Sequence, residues 1–263
     1  MSAHDQLLVV IDPVARRNDG ESVRIAKDVL CGGSEAKICL PEGPEDFARA
    51  LARRGARRPV VIGDDRALLR AVSLLHRDRW LGDGVLALVP VGSGVELAHS
   101  LGVPRGAVAA ARAVLDGAVR RLDLLVDESD GVVINDLAIP VEPSPLYPAA
   151  VWGGWRSLLR GLLGPVPPPP ARRHRLRVEA DGVILSDLDQ EVAGVSVRAM
   201  GGRAEVVISH GDGREPLTAK AHTVTVSGPD FRYRADTQVT GPVRTRTWTL
   251  RAGAWGLTLP SAL

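Results

Sequence analysis

The chain has 263 residues, of which 45% are hydrophobic and 24% are charged, and this balance excludes disordered, collagen-like and membrane-spanning classes of protein. Its 33 Lys and Arg residues nearly balance its 31 Asp and Glu residues, which leaves a formal net charge of +2. Because so small a net charge produces no strong positive field, nucleic acid is not expected as a partner.

The first half of the chain alternates short apolar runs with segments of helical periodicity. This alternation is typical of strand and helix repeats that build a parallel α/β sheet. Strands are predicted over 6–13, 36–41, 58–63 and 84–90, and helices over 21–30, 44–55, 64–77, 95–102 and 105–117. Two further strands are predicted within 120–139, on either side of a turn at Asp130 and Gly131.

The pattern changes after about residue 140. Residues 141–175 are predicted to form a connector that contains a helix over 151–163 and a Pro-rich linker. Beyond it, short alternating runs separated by turn residues favour an antiparallel sandwich or open barrel. The sequence therefore predicts an α/β domain over 1–140, the connector, and an all-β domain over 176–263.

The cysteines and histidines of the sequence argue against a disulfide framework and against a metal site. The only two cysteines, Cys31 and Cys39, fit neither a disulfide framework nor a zinc ligand set. The six histidines show no HxxxH or HExxH spacing, so no metal site is predicted. The N-terminal residues lack the basic and apolar regions of a signal peptide, and we expect a cytoplasmic protein.

Two loops have the geometry for binding phosphate. They cover residues 60–72 and 87–104, and each combines an apolar strand, a tight turn of glycine or small residues, and a helix. Ligands of open parallel sheets bind beyond the carboxyl ends of the strands. Glycine at such a turn lets backbone N–H groups approach an anion closely.

These loops resemble the two signature loops of the diacylglycerol kinase catalytic domain family, which the family writes as VVGGDGTLNEVV and PLGTGNDFARSLGIP. Gly63 and Asp65 match the first glycine and the aspartate of GGDGT. Residues 11–17 and 115–125 are also similar to family segments, so the resemblance covers about residues 7–140. The matching residues of the second loop are Pro90, Gly92, Ser93, Gly94, Ala98, Leu101, Gly102 and Pro104.

The resemblance implies a nucleotide-binding α/β domain followed by a β-rich domain that accepts a lipid. Family members transfer the γ-phosphate of ATP to a lipid hydroxyl with magnesium, which would make Asp65 a base or metal organiser. Asp236 matches the aspartate of an Asp-Gly-Glu motif that the family carries on a strand, and it would lie near magnesium. The residues expected around the phosphates are Gly63, Arg66, Gly92, Ser93 and Gly94.

Several family positions are altered in this chain. They are Asp64, Arg66, Ala67, Val95, Glu96, Thr237 and Gln238. Asp64 puts a carboxylate where triphosphate would lie, and two unit charges about 4 Å apart repel by roughly 4 kcal/mol at an effective dielectric of 20. Since phosphoryl transfer depends on positioning and charge neutralisation, the favoured hypothesis is a catalytically impaired, pseudokinase-like binding or regulatory protein. The alternative is an active, divergent ATP- and Mg-dependent lipid kinase.

The predicted helix over 151–163 carries Trp152 and Trp155 on one face, with Arg156 and Arg160 at its edge. Such a face suits a membrane interface, and it equally suits packing against the protein core. The candidate partners are therefore a lipid or anionic membrane surface, which the protein would meet peripherally, and a second protein.

Overall fold

The computed structural model of the protein describes residues 6–141, 173–210 and 214–261. The predicted connector, with Trp152 and Trp155, lies almost entirely outside the described residues. The chain forms two compact units, and neither is contiguous in sequence. The first unit contains Met1–Leu124, Asp130–Ile134 and Arg251–Leu263, and the second contains Leu125–Ser129 and Asn135–Leu250.

The first unit alternates strands with helices. Its strands are β1 (Gln6–Ile11), β2 (Glu35–Cys39), β3 (Arg58–Gly63), β4 (Val85–Pro90), most of β5 (Ala118–Asp127) and β6 (Val132–Val133). Its helices are α1 (Pro13–Asn18), α2 (Gly20–Gly33), α3 (Pro44–Ala52), α4 (Asp65–Arg77), α5 (Glu96–Ser100) and α6 (Ala107–Asp116). Every helix predicted in this half is present with shifted ends, and α1 is an additional one. None of the helices in the described ranges is long and apolar enough to cross a membrane.

The sheet of the first unit is parallel. Its strands pair in the order β2, β1, β3 and β4. In β1, β3 and β4 every residue after the first is buried, as expected for a parallel sheet that is covered on both faces. Because β2 and β3 lie on opposite sides of β1, the direction of the strand order changes between β1 and β3. Ligands of open α/β sheets bind at the carboxyl ends of the strands at such a switch point.

The second unit is β-rich and antiparallel. Strands β14, β13, β12, β7 and β15 pair in that order, and β15 also pairs with β9 and β16. The strands are β7 (Asp136–Ile139), β8 (His174–Arg175), β9 (Arg177–Ala180), β10 (Val183–Ser186), β11 (Glu191–Val192), β12 (Gly194–Met200), β13 (Arg203–Ser209), β14 (Leu217–Ala221), β15 (Thr223–Ala235) and β16 (Gln238–Leu259). The prediction of an α/β domain with a parallel sheet, followed by an antiparallel β-rich region, is confirmed.

Two long strands replace four predicted short ones. The segments 222–228 and 231–236 belong to the single strand β15, and 243–251 and 254–260 belong to β16. The pairing of β15 with β16 shifts register between Ser227 and Phe231, so a bulge absorbs the intervening Gly228-Pro229 that would otherwise end the strand.

The end of β16 belongs to the first unit, which differs from the predicted division of the chain. Gly256 and Leu257 pair in parallel with Val85 and Leu86 of β4. The predicted all-β domain over 176–263 therefore ends earlier in the structure, and Asn135–Pro140, which was predicted as part of the α/β domain, lies in the second unit.

Candidate functional site

Asp65 ties the two predicted phosphate loops together. Its side chain is buried, and its Oδ2 and Oδ1 atoms accept the N–H groups of Leu97 and Ala98, each at 2.9 Å. Its own N–H donates to the carbonyl of Gly94 at 2.8 Å. Val95, which precedes α5, makes no side-chain cap, so the Asp65 carboxylate caps that helix from the neighbouring loop.

The carboxyl group of Asp65 titrates closer to neutral pH than an ordinary aspartate. Burial raises its pKa to about 6, against the lowering effect of the N–H groups of Ala98 and Leu97, and the adjacent Asp64 carboxylate raises it further. A base with a pKa near the working pH is well suited to proton transfer. Both oxygens, however, already hold the second loop in place.

The raised pKa makes a pH-dependent contribution to stability that can be measured. Because the folded pKa of about 6 exceeds the ordinary aspartate pKa of 3.8, the contribution is complete below pH 3.8 and is lost as the pH rises through 6. Asp65→Asn removes this titration. The free energy of unfolding of the wild type, relative to that variant, should therefore fall by about 2 kcal/mol between about pH 4.5 and about pH 7.5 in urea titrations. A difference that does not change with pH would contradict the buried, titrating carboxyl.

Asp64 caps the N-terminus of α4. Its backbone is extended, and its Oδ1 atom accepts the N–H of Ala67 at 3.0 Å. The free N–H groups and the dipole at the start of a helix favour an anion. Here the chain itself supplies that anion. Arg66 follows on the first turn, exposed, and we find no ion-pair partner for it within the described ranges.

Asp12 also lies at the switch point, although sequence reasoning missed it as a site residue. Its buried carboxylate accepts the N–H of Val14 at 2.9 Å through Oδ2, and its Oδ1 pairs with the Arg70 guanidinium at 3.1 Å. An Asp-Pro pair directly after an apolar strand is the signal that could have identified this cap, since Asp favours the N-cap position and Pro the next one.

Gly63 allows the carboxyl ends of β1 and β3 to approach each other closely. A Cβ atom at Gly63 would come within 2.7 Å of the Ala67 Cβ and 3.0 Å of the Asp12 Cβ. The first distance is shorter than carbon atoms tolerate and the second is tighter than most Cβ contacts, so a larger residue would force Ala67 and Asp12 to move. The glycine therefore serves the packing of this chain, and the space beside it is taken by the side chains of Asp12 and Ala67.

The second loop lies directly against the first. The N–H of Val91 donates to the Gly63 carbonyl at 3.0 Å, and a Cβ on Gly92, whose φ is +120°, would lie 3.6 Å from the Asp64 Cβ. Ser93 is exposed. The structure thus brings together six of the predicted site residues, which are Gly63, Asp65, Arg66, Gly92, Ser93 and Gly94. Glu96, which replaces a family aspartate, lies 3.8 Å from the Arg105 guanidinium.

Asp236 belongs to the second unit and has a different environment. It was expected on a strand, but it lies in the two-residue turn between β15 and β16 with a φ of +49°. Asp tolerates this left-handed conformation, which a tight hairpin turn requires. Its buried Oδ1 atom accepts the N–H groups of Asn135 at 2.9 Å and Asp136 at 3.2 Å.

Arg234 explains why the chain turns at Asp236. Its Nη1 atom donates to the Asp236 carbonyl at 2.7 Å, and its Nη2 atom donates to the Asp136 carboxylate at 2.6 Å. The Asp236 N–H donates to the Asp136 carbonyl at 2.8 Å. Asp236 is thus held in a buried polar network that fixes a hairpin.

The charged side chains at the switch point are mostly acidic. The carboxylates of Asp12, Asp64 and Asp65 lie there, and of the two nearby guanidinium groups that of Arg70 is paired with Asp12. Among the residues that the structure describes, no group of three or more His, Cys, Asp or Glu side chains could hold a metal ion. A nucleotide phosphate would therefore meet more negative than positive charge.

Three solved structures from Bacillus anthracis str. Sterne are similar to this chain. A crystal structure described as a candidate diacylglycerol kinase has a TM-score of 0.77 and 14% identity, and the match covers 98% of both chains. A structure described as a diacylglycerol kinase has a TM-score of 0.75 at 14% identity, with the same coverage. No protein-family model and no curated protein sequence matches the chain. The resemblance predicted from the loop motifs is confirmed in the fold, which is diacylglycerol kinase-like.

Proposed function

We propose that this protein is a diacylglycerol kinase-like binding or regulatory protein with an impaired nucleotide site. The observation that carries the proposal is the Asp64 carboxylate at the N-terminus of α4, where it accepts the Ala67 N–H. A phosphate group at this position would have to displace that carboxylate or lie against it, and the two negative charges repel. The partners predicted from the sequence, a lipid or anionic membrane surface or a second protein, fit a role in binding.

Asp65 supports the same proposal. A general base must be accessible to the hydroxyl group from which it takes a proton. Both Asp65 oxygens accept backbone N–H groups of α5 at 2.9 Å, and the side chain is 1% exposed. The residue that the family resemblance implies as base thus has a structural task, which is to position the second loop.

An active, divergent kinase is the second candidate, and the raised pKa of Asp65, about 6, favours it. In such an enzyme Asp65 would act as base or metal organiser once α5 moved. Arg66 would bind phosphate, and magnesium would neutralise the charge on ATP. That mechanism requires the Asp65 carboxyl, which is 1% exposed, to become accessible to the substrate during each turnover.

Thermal unfolding with and without MgATP separates the two candidates. A ligand at a hundred times its Kd adds about 2.7 kcal/mol to the free energy of unfolding. We expect the melting temperature at millimolar MgATP to equal that with magnesium and an inert salt of the same ionic strength. A rise that saturates with ATP concentration would contradict the impaired site and favour the kinase, as would transfer of labelled phosphate to diacylglycerol that Asp65→Asn abolishes.

A further inference from the structure

A groove lies between the edge strand β2 and helix α3 of the first unit. Its volume is ≈ 450 Å³, within the range of small-molecule sites. It shares no lining residue with the 63–67 or 92–96 loops. The lining residues are Leu8, Lys37, Cys39, Leu40, Pro41, Asp46, Arg49, Ala50 and Arg53.

The charge of the groove is positive. Arg49 pairs with Asp46 on the preceding turn of α3, so these two charges offset each other. Lys37 and Arg53 are exposed, and no carboxylate of the described ranges pairs with either. Two cations without counterions therefore border a concave surface, which favours an anionic ligand.

The rest of the groove is apolar. Leu8 of β1 is 1% exposed and Ala50 is half-buried, whereas Leu40 at the end of β2 is 53% exposed. A leucine with so much accessible surface next to two free cations offers contact to a hydrocarbon group.

We propose that this groove binds a small amphipathic anion, a phosphate or carboxylate attached to a short apolar chain. The head group lies against Lys37 and Arg53, and the chain covers Leu40 and Ala50. This ligand class follows from the charge and the apolar surface of the groove alone. The proposal does not depend on the state of the nucleotide site, because the two sites have no residue in common.

Cys39 provides a reporter of occupancy, and Cys31 provides its control. Both thiols are free, Cys39 lines the groove, and Cys31 is exposed on α2 outside the lining. Octyl phosphate, used below its micelle concentration, should slow the alkylation of Cys39 by iodoacetamide severalfold and leave Cys31 unchanged. Peptide mass spectrometry measures both rates in one sample. Equal protection of the two thiols, or none, would overturn the proposal.

Charge removal gives the second arm of the experiment. Lys37→Gln with Arg53→Gln should weaken binding of octyl phosphate about tenfold by calorimetry, since two charge contacts are lost. Lys220→Gln with Arg112→Gln removes the same charges at exposed positions outside the groove and should leave the affinity unchanged. If the variant with both Lys37→Gln and Arg53→Gln binds octyl phosphate as tightly as the wild type does, the proposal is overturned.

The source of the anion is distinguished by three probes. Inorganic phosphate alone should protect Cys39 far less than octyl phosphate, and equal protection would overturn the requirement for an apolar chain. Protection by phosphatidylcholine vesicles that contain phosphatidic acid would support the proposal and assign the anion to a lipid surface. Protection by free octyl phosphate without protection by the vesicles would support it and assign the anion to a soluble metabolite.

Discussion

Asp64→Asn is expected to raise the affinity of the protein for MgATP at least about tenfold, because it removes a negative charge from the N-terminus of α4. Asn is as good an N-cap residue as Asp, so the hydrogen bond to Ala67 and the stability of the helix should be retained. Asp64→Gly should give the same gain and cost only a few tenths of a kcal/mol in stability. Calorimetric titration with MgATP measures the change.

Asp19 offers the matched control for this experiment. Its carboxylate caps α2 by accepting the Ser22 N–H at 3.0 Å, just as the Asp64 carboxylate caps α4. Asp19→Asn removes the same charge from another helix N-terminus and should not change the affinity for MgATP. If Asp64→Asn, even combined with Arg66→Gly and Val95→Asn, binds no better than the wild type, the charge of Asp64 is not what impairs the site.

Asp136→Ala is expected to lower the free energy of unfolding by about 3 to 5 kcal/mol, which is the usual cost of leaving one member of a buried ion pair unpaired. The Arg234 side chain is 10% exposed and the Asp136 side chain is 11% exposed. Without Asp136, the Arg234 guanidinium keeps its hydrogen bond to the Asp236 carbonyl but loses the carboxylate that pairs with it. Chemical unfolding at neutral pH measures the loss.

An exposed ion pair in the same unit supplies the comparison. Arg244 and Asp230 lie 2.9 Å apart, with side chains that are 83% and 59% exposed. Asp230→Ala should cost less than about 1 kcal/mol, because solvent screens the pair. Replacing both Asp136 and Arg234 with apolar residues of similar size should recover much of the loss. A cost for Asp136→Ala no larger than that for Asp230→Ala would contradict the buried network.

Local pattern predicted the elements of the first unit well, and failed where distant contacts decide the structure. The apolar runs over 58–63 and 84–90 form β3 and β4, as predicted. A short, almost entirely apolar run is typical of a strand in a sheet that is covered on both faces. The helix α1 was missed since its six residues are too few to show helical periodicity. The pairing of Gly256 with Val85 joins residues far apart in sequence, and no local spacing encodes it.

The candidate site was also predicted only in part, because local patterns do not show contacts between distant segments. The loop motifs located Gly63, Asp65 and Gly92, which the structure places together. An Asp directly before a segment of helical periodicity is a helix N-cap signal, so the role of Asp64 as a cap was accessible from the sequence. The capping of α5 by Asp65 could not be predicted from the sequence, because the N–H donors of Leu97 and Ala98 belong to another loop.

The chain passes between its two units four times, at 124–125, 129–130, 134–135 and 250–251. Neither unit therefore corresponds to a continuous stretch of the gene. A premature stop codon near residue 250 would spare most of the second unit, yet it would delete Gly256 and Leu257, the residues that pair with β4 in the first. A single crossover in the gene therefore cannot exchange one unit without also cutting the other.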